Sequence, residues 1–414
     1  MAAFRSLRYR DYRLFWFGAF ASNTGTWMQN IALSWYVLQL TGSAFWVGAI
    51  NFANFIPMWF SPLGGVLADR MDRKKILLAT QSAMLVAAVG LAIVTQLGTR
   101  SVVPAFLLTL FTGMAFAVDA PTRNSFFPKL VPAESMVNAI ALNSAQFSLA
   151  RVVGPTVAGA MVATVGVVPV FWINAASFLA VLAALAAIRS PFDRAATAAA
   201  PPARLRDGLA YAWRHPLIRT MLVSIAILSL FGGPVAALLP VFAREVYGRG
   251  PRAFGHLTAA LGIGSVIGAM ALSRVGRVRP GMVGGGLVLS GVALIALGST
   301  TSFAAGLAMM LVFGGSYLFS ISATNSQIQT SVDDLIRGRV VGLFLLAFGG
   351  LFPVGSLVAG TVADHVGVGI TTIGGASLCL AWGILLLVRT RRRDEGAATA
   401  AEATGRHGGE GMPT

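Results

Sequence analysis

Two groups of residues in this 414-residue chain have types and spacings that could do chemistry. One is a charged turn, Gly65-Val66-Leu67-Ala68-Asp69-Arg70-Met71-Asp72-Arg73-Lys74-Lys75, where carboxylates stand among cations. Such a cluster can make and break ion pairs at a helix end, and a carboxylate near a helix N-terminus is further stabilised by the dipole. The other group is polar and lies inside apolar runs: Arg151 with Ser144 and Ser148; Asn23, Thr26, Trp27, Asn30 and Ser34; Asn51 and Asn54; Ser316, Ser320, Thr324 and Gln327. Their steps of mostly three and four residues put each set on one helix face. The chemistry on offer is reversible binding rather than bond breaking.

Bond-breaking chemistry lacks its parts. No nucleophile, base and orienting group can be assembled from the residues inside the apolar runs, so an enzyme is not expected. His215, His256, His365 and His407 fall in expected loops or the tail without a second ligand at metal spacing, so no metal site is expected. Gly262, Gly264 and Gly268 spell GxGxxxG, but a dinucleotide fingerprint needs a preceding strand, and here packing is the expected role. There is no GxxxxGK[ST] segment, which leaves direct ATP drive and any other cofactor unsupported. Cys379 is the only cysteine, so no intramolecular disulfide can form.

The elements that position these residues follow from composition. Hydrophobic residues make up 56% of the chain, charged residues 11%, and the mean hydropathy is +0.74. A soluble domain carries roughly 25% charge, so the natural solvent is lipid. With about 20 apolar residues per crossing, the chain divides into helices expected over 14–38, 44–67, 75–97, 102–127, 135–164, 168–188, 216–243, 253–273, 281–299, 303–328, 338–363 and 369–390. This predicts an all-α membrane protein of twelve transmembrane helices in two six-helix bundles. The bundles occupy 1–190 and 216–392, joined by an Ala-, Pro- and Arg-rich cytoplasmic linker over 191–215 and followed by a disordered cytoplasmic tail over 393–414.

Charge gives the orientation. Of 31 basic residues, 26 fall in every second gap between apolar runs or at the chain ends, which places both termini in the cytoplasm of a multi-pass inner (plasma) membrane protein. The same distribution argues against a nucleic-acid partner, because the net charge of +16 is shared among separate loops rather than gathered into one patch. The first apolar run is too long for a signal-peptide core and is expected to remain as a span.

An internal repeat supports two halves. At an offset of 201 residues, eight of the fifteen positions from Val153 to Val167 recur at Val354 to Val368, among them the Gly154, Ala158, Gly159 and Gly166 spacing. Two parallel six-helix repeats around a cavity suit a transporter that rocks between states.

The turn Gly65 to Lys75 resembles the loop between helices 2 and 3 of the major facilitator superfamily, with Asp72 where that family usually has glycine. The resemblance implies a gate in which Asp69 faces the start of helix 11 and Arg73 pairs with an acid near the cytoplasmic end of helix 4. Asp119 is that acid, and Gly65, Arg70 and Lys74 complete the motif. Gly25-Thr26-Trp27-Met28-Gln29, Asp119-Ala120-Pro121-Thr122-Arg123, Asn138 to Asn143 and Arg151-Val152-Val153-Gly154-Pro155 are similar to the group of drug and siderophore exporters that includes the enterobactin and macrolide exporters. Gly154, Pro155 and Gly159 look like a shortened fifth-helix antiporter signature, and read on their own they are small residues that permit close helix packing.

The expected function is export of small amphipathic molecules by alternating access, with protons as the coupling partner, lipid as the surroundings and a monomer as the assembly. Import on the same scaffold, or a sensor without flux, are the alternatives. Proton coupling comes from the resemblance alone: no Asp or Glu lies near the bilayer midplane, and Thr109 occupies the place of an arginine common in the superfamily's antiporters. Arg151 within a span costs about 2.5–3.5 kcal/mol on insertion scales. It could hold an anionic substrate, respond to a proton elsewhere or bond to nearby carbonyls. Substrate-contact candidates are Asn23, Trp27, Asn30, Asn51, Asn54, Arg151, Ser320 and Thr324, each equally open to an interhelical hydrogen bond.

Overall fold

The computed structural model describes residues 2–189, 205–276 and 278–407 and is helical almost throughout. In chain order the helices are α1 (Arg10–Thr41), α2 (Ala44–Phe55), α3 (Ser61–Arg70), α4 (Arg73–Gln96), α5 (Val103–Phe126), α6 (Met136–Val165), α7 (Val168–Ala187) and α8 (Leu205–Arg214). Then come α9 (Pro216–Ile227), α10 (Val235–Val241), α11 (Pro251–Ser273), α12 (Pro280–Ser299), α13 (Phe303–Ser331), α14 (Asp334–Leu345), α15 (Leu351–Val366) and α16 (Val368–His407).

Several of these join end to end. A 3-10 turn at Ile56–Phe60, where Pro57 cannot donate to the ladder, links α2 to α3; π-turns at Leu228–Gly232 and Leu346–Gly350 interrupt the rods α9–α10 and α14–α15. Ten helical rods among the described residues are long and apolar enough to cross a membrane, and Ala44–Phe60 is a shorter apolar helix. The 32-residue α1 falls outside that set because Asn23, Thr24, Thr26, Gln29 and Asn30 dilute its hydropathy.

The described parts of the expected linker and tail are helical. Residues 190–204 of the expected linker lie outside the described residues, but its second part is helix α8, which packs against α14. Its Leu209 and Trp213 are exposed, with the Arg219 guanidinium 5.7 Å from the Trp213 ring, a combination suited to a membrane interface. Where a disordered tail is expected from 393, the backbone continues as α16 to His407, in keeping with the helix propensity of Ala397 to Ala403; 408–414 lie outside the described residues.

The repeat is visible in the backbone. Gly166 ends α6 at φ 83° and Gly367 ends α15 at φ 84°, a left-handed turn that favours glycine at both copies of the motif. The paired glycines also do paired work. A Cβ on Gly154 would lie 2.7 Å from Trp27 Cβ in α1, and one on Gly355 would lie 2.3 Å from Leu230 O in the α9–α10 rod. One turn on, Gly159 sits against Gly255 of α11, and Gly360 against Ala44 O of α2, at 2.9 and 2.5 Å for an added Cβ. In each half, therefore, the first glycine packs within the half and the second crosses to the other.

The hydrophobic core follows this two-fold pattern at one face only. At the face bearing the α1–α2 turn, Leu38, Val47, Phe171, Leu239, Phe254 and Phe313 belong to one continuous cluster drawn from both halves. At the face bearing the basic loops there are two clusters. One contains Tyr12, Phe15, Leu77 and Phe126 from the N-terminal half, the other Ile218, Met221, Ile328 and Phe344 from the C-terminal half.

Candidate functional site: a forked core with charges at its branch point

Arg151 lies in the middle of α6. It is partly buried, with its guanidinium carbon 5.7 Å from the centre of the Trp27 ring on α1, a cation–π arrangement. Trp27 in turn meets Phe147 edge to face at 6.2 Å, and Tyr317 of α13, in the other half, lies within electrostatic reach of Arg151. Among the described residues no carboxylate pairs with Arg151. A cation without an anion in an aromatic setting is suited to receive one.

A second polar group lies nearer the basic face. Asp119 on α5 is fully buried and accepts from Thr80 Oγ1 and Gln81 Nε2 of α4, each at 2.9 Å, and from Arg123 Nε one turn on at 3.0 Å; Arg123 Nη2 also bonds to it. Arg123 Nη1 donates to Asn23 Oδ1 at 3.1 Å, and Asn23 Nδ2 donates to Gln146 Oε1 of α6 at 3.3 Å. Four helices are thus tied through one carboxylate. A cavity of about 10 Å³ bordered by Ser22, Gln81 and Arg123 adjoins the network, at the lower limit for one water molecule. Gln81 Oε1 and Gln146 Nε2 are buried without a hydrogen-bond partner among the described residues, and a water would suit the former.

The resemblance implies Arg73 against Asp119; in this conformation Asp119 accepts from Arg123 of its own helix and from Thr80 and Gln81 of α4. Arg70 is exposed at the end of α3, Lys74 Nζ donates to Ile188 O at 2.7 Å, and Asp72 is the N-cap of α4, accepting from the amides of Lys74 and Lys75. The Asp69 side chain lies outside the described residues. Around Gly65 an added Cβ would meet open space, while at neighbouring Gly64 it would lie 2.8 Å from Ala117 O. The close approach of α3 to α5 is made by Gly64, which the motif does not single out.

The polar stripes divide between packing and open positions. Asn51 Nδ2 donates to Val47 O of its own helix at 3.0 Å. Ser320 is buried, donates to Ser316 O at 2.8 Å and stands where a Cβ on Gly286 of α12 would collide with it; Ser316 and Ser290 share a hydrogen bond of 2.8 Å. Thr324 is buried beside them on the same helix. Ser320 is therefore engaged with α12, while Asn30 and Asn54 are partly buried. Gly264 and Gly268 abut the α13 backbone, in agreement with a packing role. Pro155 is buried in α6 with its carbonyl against Gly255. Sequence reasoning missed the buried pair in which Asn174 Nδ2 of α7 donates to Gln29 Oε1 at 2.7 Å, although both lie as isolated amides inside apolar runs.

A helical membrane protein with two repeats, a core shared at one face and divided at the other, and a lone cation at the fork has the build of a transporter. The chain matches the model of the transmembrane secretion effectors over residues 1–407 and belongs to that family of major facilitator transporters. It is 26% identical to the multidrug efflux pump Tap of Mycolicibacterium fortuitum, covering 91% of this chain and 95% of that one. It is 24% identical to the staphyloferrin A transporter of Staphylococcus aureus (89% and 94% covered) and 25% identical to the enterobactin exporter EntS of Escherichia coli (88% and 83%). The fold is similar to that of the crystal structure of the nucleoside transporter NupG, with a TM-score of 0.74 at 14% identity over 91% of this chain and 98% of that one. Its family and relatives are transporters, not enzymes.

Proposed function

We propose that this transporter exports small amphipathic molecules, anionic ones among them, by alternating access. The observation that carries the reading is the forked core. Apolar side chains of the two halves merge at the face of the α1–α2 turn and separate at the basic face. In this reading the rods make twelve spans in two six-helix bundles, both termini are cytoplasmic by the positive-inside rule, and the conformation is closed outward and parted toward the cytoplasm. The chain works as a monomer in the plasma membrane.

Substrate enters at the fork, where Arg151 supplies charge and Trp27, Phe147 and Tyr317 supply adaptable aromatic surface. Asn23, Asn30 and Asn54 flank the path. Two of the relatives are named for the molecules they move, staphyloferrin A and enterobactin, which supports a small-molecule substrate. Protons drive the exchange, as the resemblance to the antiporters of the superfamily implies.

Everted membrane vesicles loaded with a panel of anionic, neutral and cationic amphiphiles test the reading. Uphill uptake into the vesicles, abolished by a proton uncoupler, is the expected result. Accumulation in right-side-out vesicles instead would establish import, and binding without flux would establish a sensor.

A further inference from the structure

The turn between α1 and α2 is held from both sides by charges of the other half. Arg244, which follows α10, donates from Nη1 to Leu38 O at 2.9 Å, meeting the carbonyl end of α1. Asp364, in the last turn of α15, accepts from Ala44 N at 2.6 Å, from Phe45 N at 3.2 Å and from Ser43 Oγ at 2.5 Å, meeting the amide end of α2. Each charge has the sign that the adjoining helix end favours.

Like most helix starts among the described residues, the N-terminus of α2 lacks a side-chain cap of its own; what sets it apart is that a carboxylate of the other half takes that place. Ser43 occupies the N-cap position and makes no side-chain cap bond; its hydroxyl donates to Asp364. An N-cap side chain normally accepts from the amides one turn into its own helix. Here that duty falls to a carboxylate 320 residues away. The repeat sharpens the point, since the position equivalent to Asp364 at the 201-residue offset is Ala163, so the acid belongs to one seam alone. Directly below it, Gly48 and Gly360 bring α2 and α15 into backbone contact. Glu245 stands in the field of both Arg244 and Asp364.

We infer that Asp364, seconded by Arg244, is the outer latch of the transport cycle: it fastens the α1–α2 turn to the opposite half when the protein is closed at this face, and must let go for that face to open. The latch rests on the alternating-access reading above. It is a gating device separate from the charged turn at Gly65 to Lys75, at the opposite face and made of different residues.

The test is a distance measurement on the full chain in lipid nanodiscs. Ser101 and Thr301, exposed at this face in the two halves, are replaced by cysteine and spin-labelled in a background where buried Cys379 is alanine. Asp364→Asn, and separately Arg244→Gln, are expected to raise the ratio of long to short outer distances roughly fivefold, the effect of losing one good helix cap. Ser43→Asp gives α2 an ordinary cap, keeps the helix well formed and sets a second carboxylate against Asp364. It is expected to shift the ratio the same way, and Asp364→Glu to restore part of it. Two populations whose ratio ignores both Asp364→Asn and Ser43→Asp would overturn the latch alone. A single outer distance in every variant, unmoved by substrate, would overturn the latch together with alternating access.

Discussion

Asp119 and Arg123 face each other one turn apart on α5, with Asp119 fully buried and the arginine's second arm carried across to Asn23 on α1. A buried pair is weak evidence for stability as a pair, but strong evidence that neither member can be removed alone. Asp119→Ala is therefore expected to destabilise the folded protein by about 3–5 kcal/mol, read as a lowered unfolding temperature in detergent. The double variant Asp119→Ala with Arg123→Leu is expected to lose less than the sum of the two single changes. Strict additivity would mean that the two side chains act independently.

Arg151 has the Trp27 ring and Tyr317 for company and no carboxylate among the described residues. Arg151→Ala is expected to weaken apparent affinity for anionic substrates about tenfold or more, the scale of one charge-assisted hydrogen bond, with little change for cationic ones. Arg151→Lys is expected to recover only part of this, because a compact ammonium does not stack on an indole as a planar guanidinium does. Concentration-dependent efflux of matched anionic and cationic dyes makes the comparison. Equal losses for both dyes would return Arg151 to a structural role.

Adjacent glycines at the end of the α2–α3 rod offer a separation of packing from gating. Gly64→Ala places a methyl group 2.8 Å from Ala117 O and is expected to lower thermal stability. Gly65→Ala meets nothing within 4 Å and is expected to leave stability unchanged or raise it by about 0.5–1 kcal/mol, the helix preference for alanine. If Gly65→Ala nonetheless slows transport, the glycine is needed in the other conformation, as a gate motif requires.

Asp69→Asn tests the gate that the resemblance implies at the basic face. It is expected to slow efflux several-fold with normal expression and an unchanged substrate profile, since the charge acts on the balance of states and not on the ligand. Wild-type rates in that variant would remove Asp69 from the gate.

Much of this molecule was legible in local sequence. Helix positions followed apolar run length, and the Gly154 and Gly159 repeat announced helix crossings because small residues at such spacing serve close approach almost regardless of context. The polar stripe of α1 was equally plain, although the same residues lower its hydropathy below that of an ordinary span. What the sequence withheld were partnerships between distant elements. Asp119 was recognisable as a significant acid, but its bonds to Thr80 and Gln81 need α4 packed beside α5. Asp364 looked like any acid at a helix end; only the folded chain brings it to an uncapped helix 320 residues away. Gln29 and Asn174 were single amides whose pairing needs α1 and α7 side by side.

The glycine crossings at α6–α11 and α2–α15 have a mechanical consequence. Interdigitated side chains must unmesh before two helices can turn against each other, which makes such interfaces move in discrete jumps. Where Gly159 meets Gly255, and Gly48 and Gly360 meet the facing main chain, there is little to unmesh. If the halves turn against each other as proposed, these crossings would serve as smooth bearings, and the stopping points of the motion would be set by groups at the two rims.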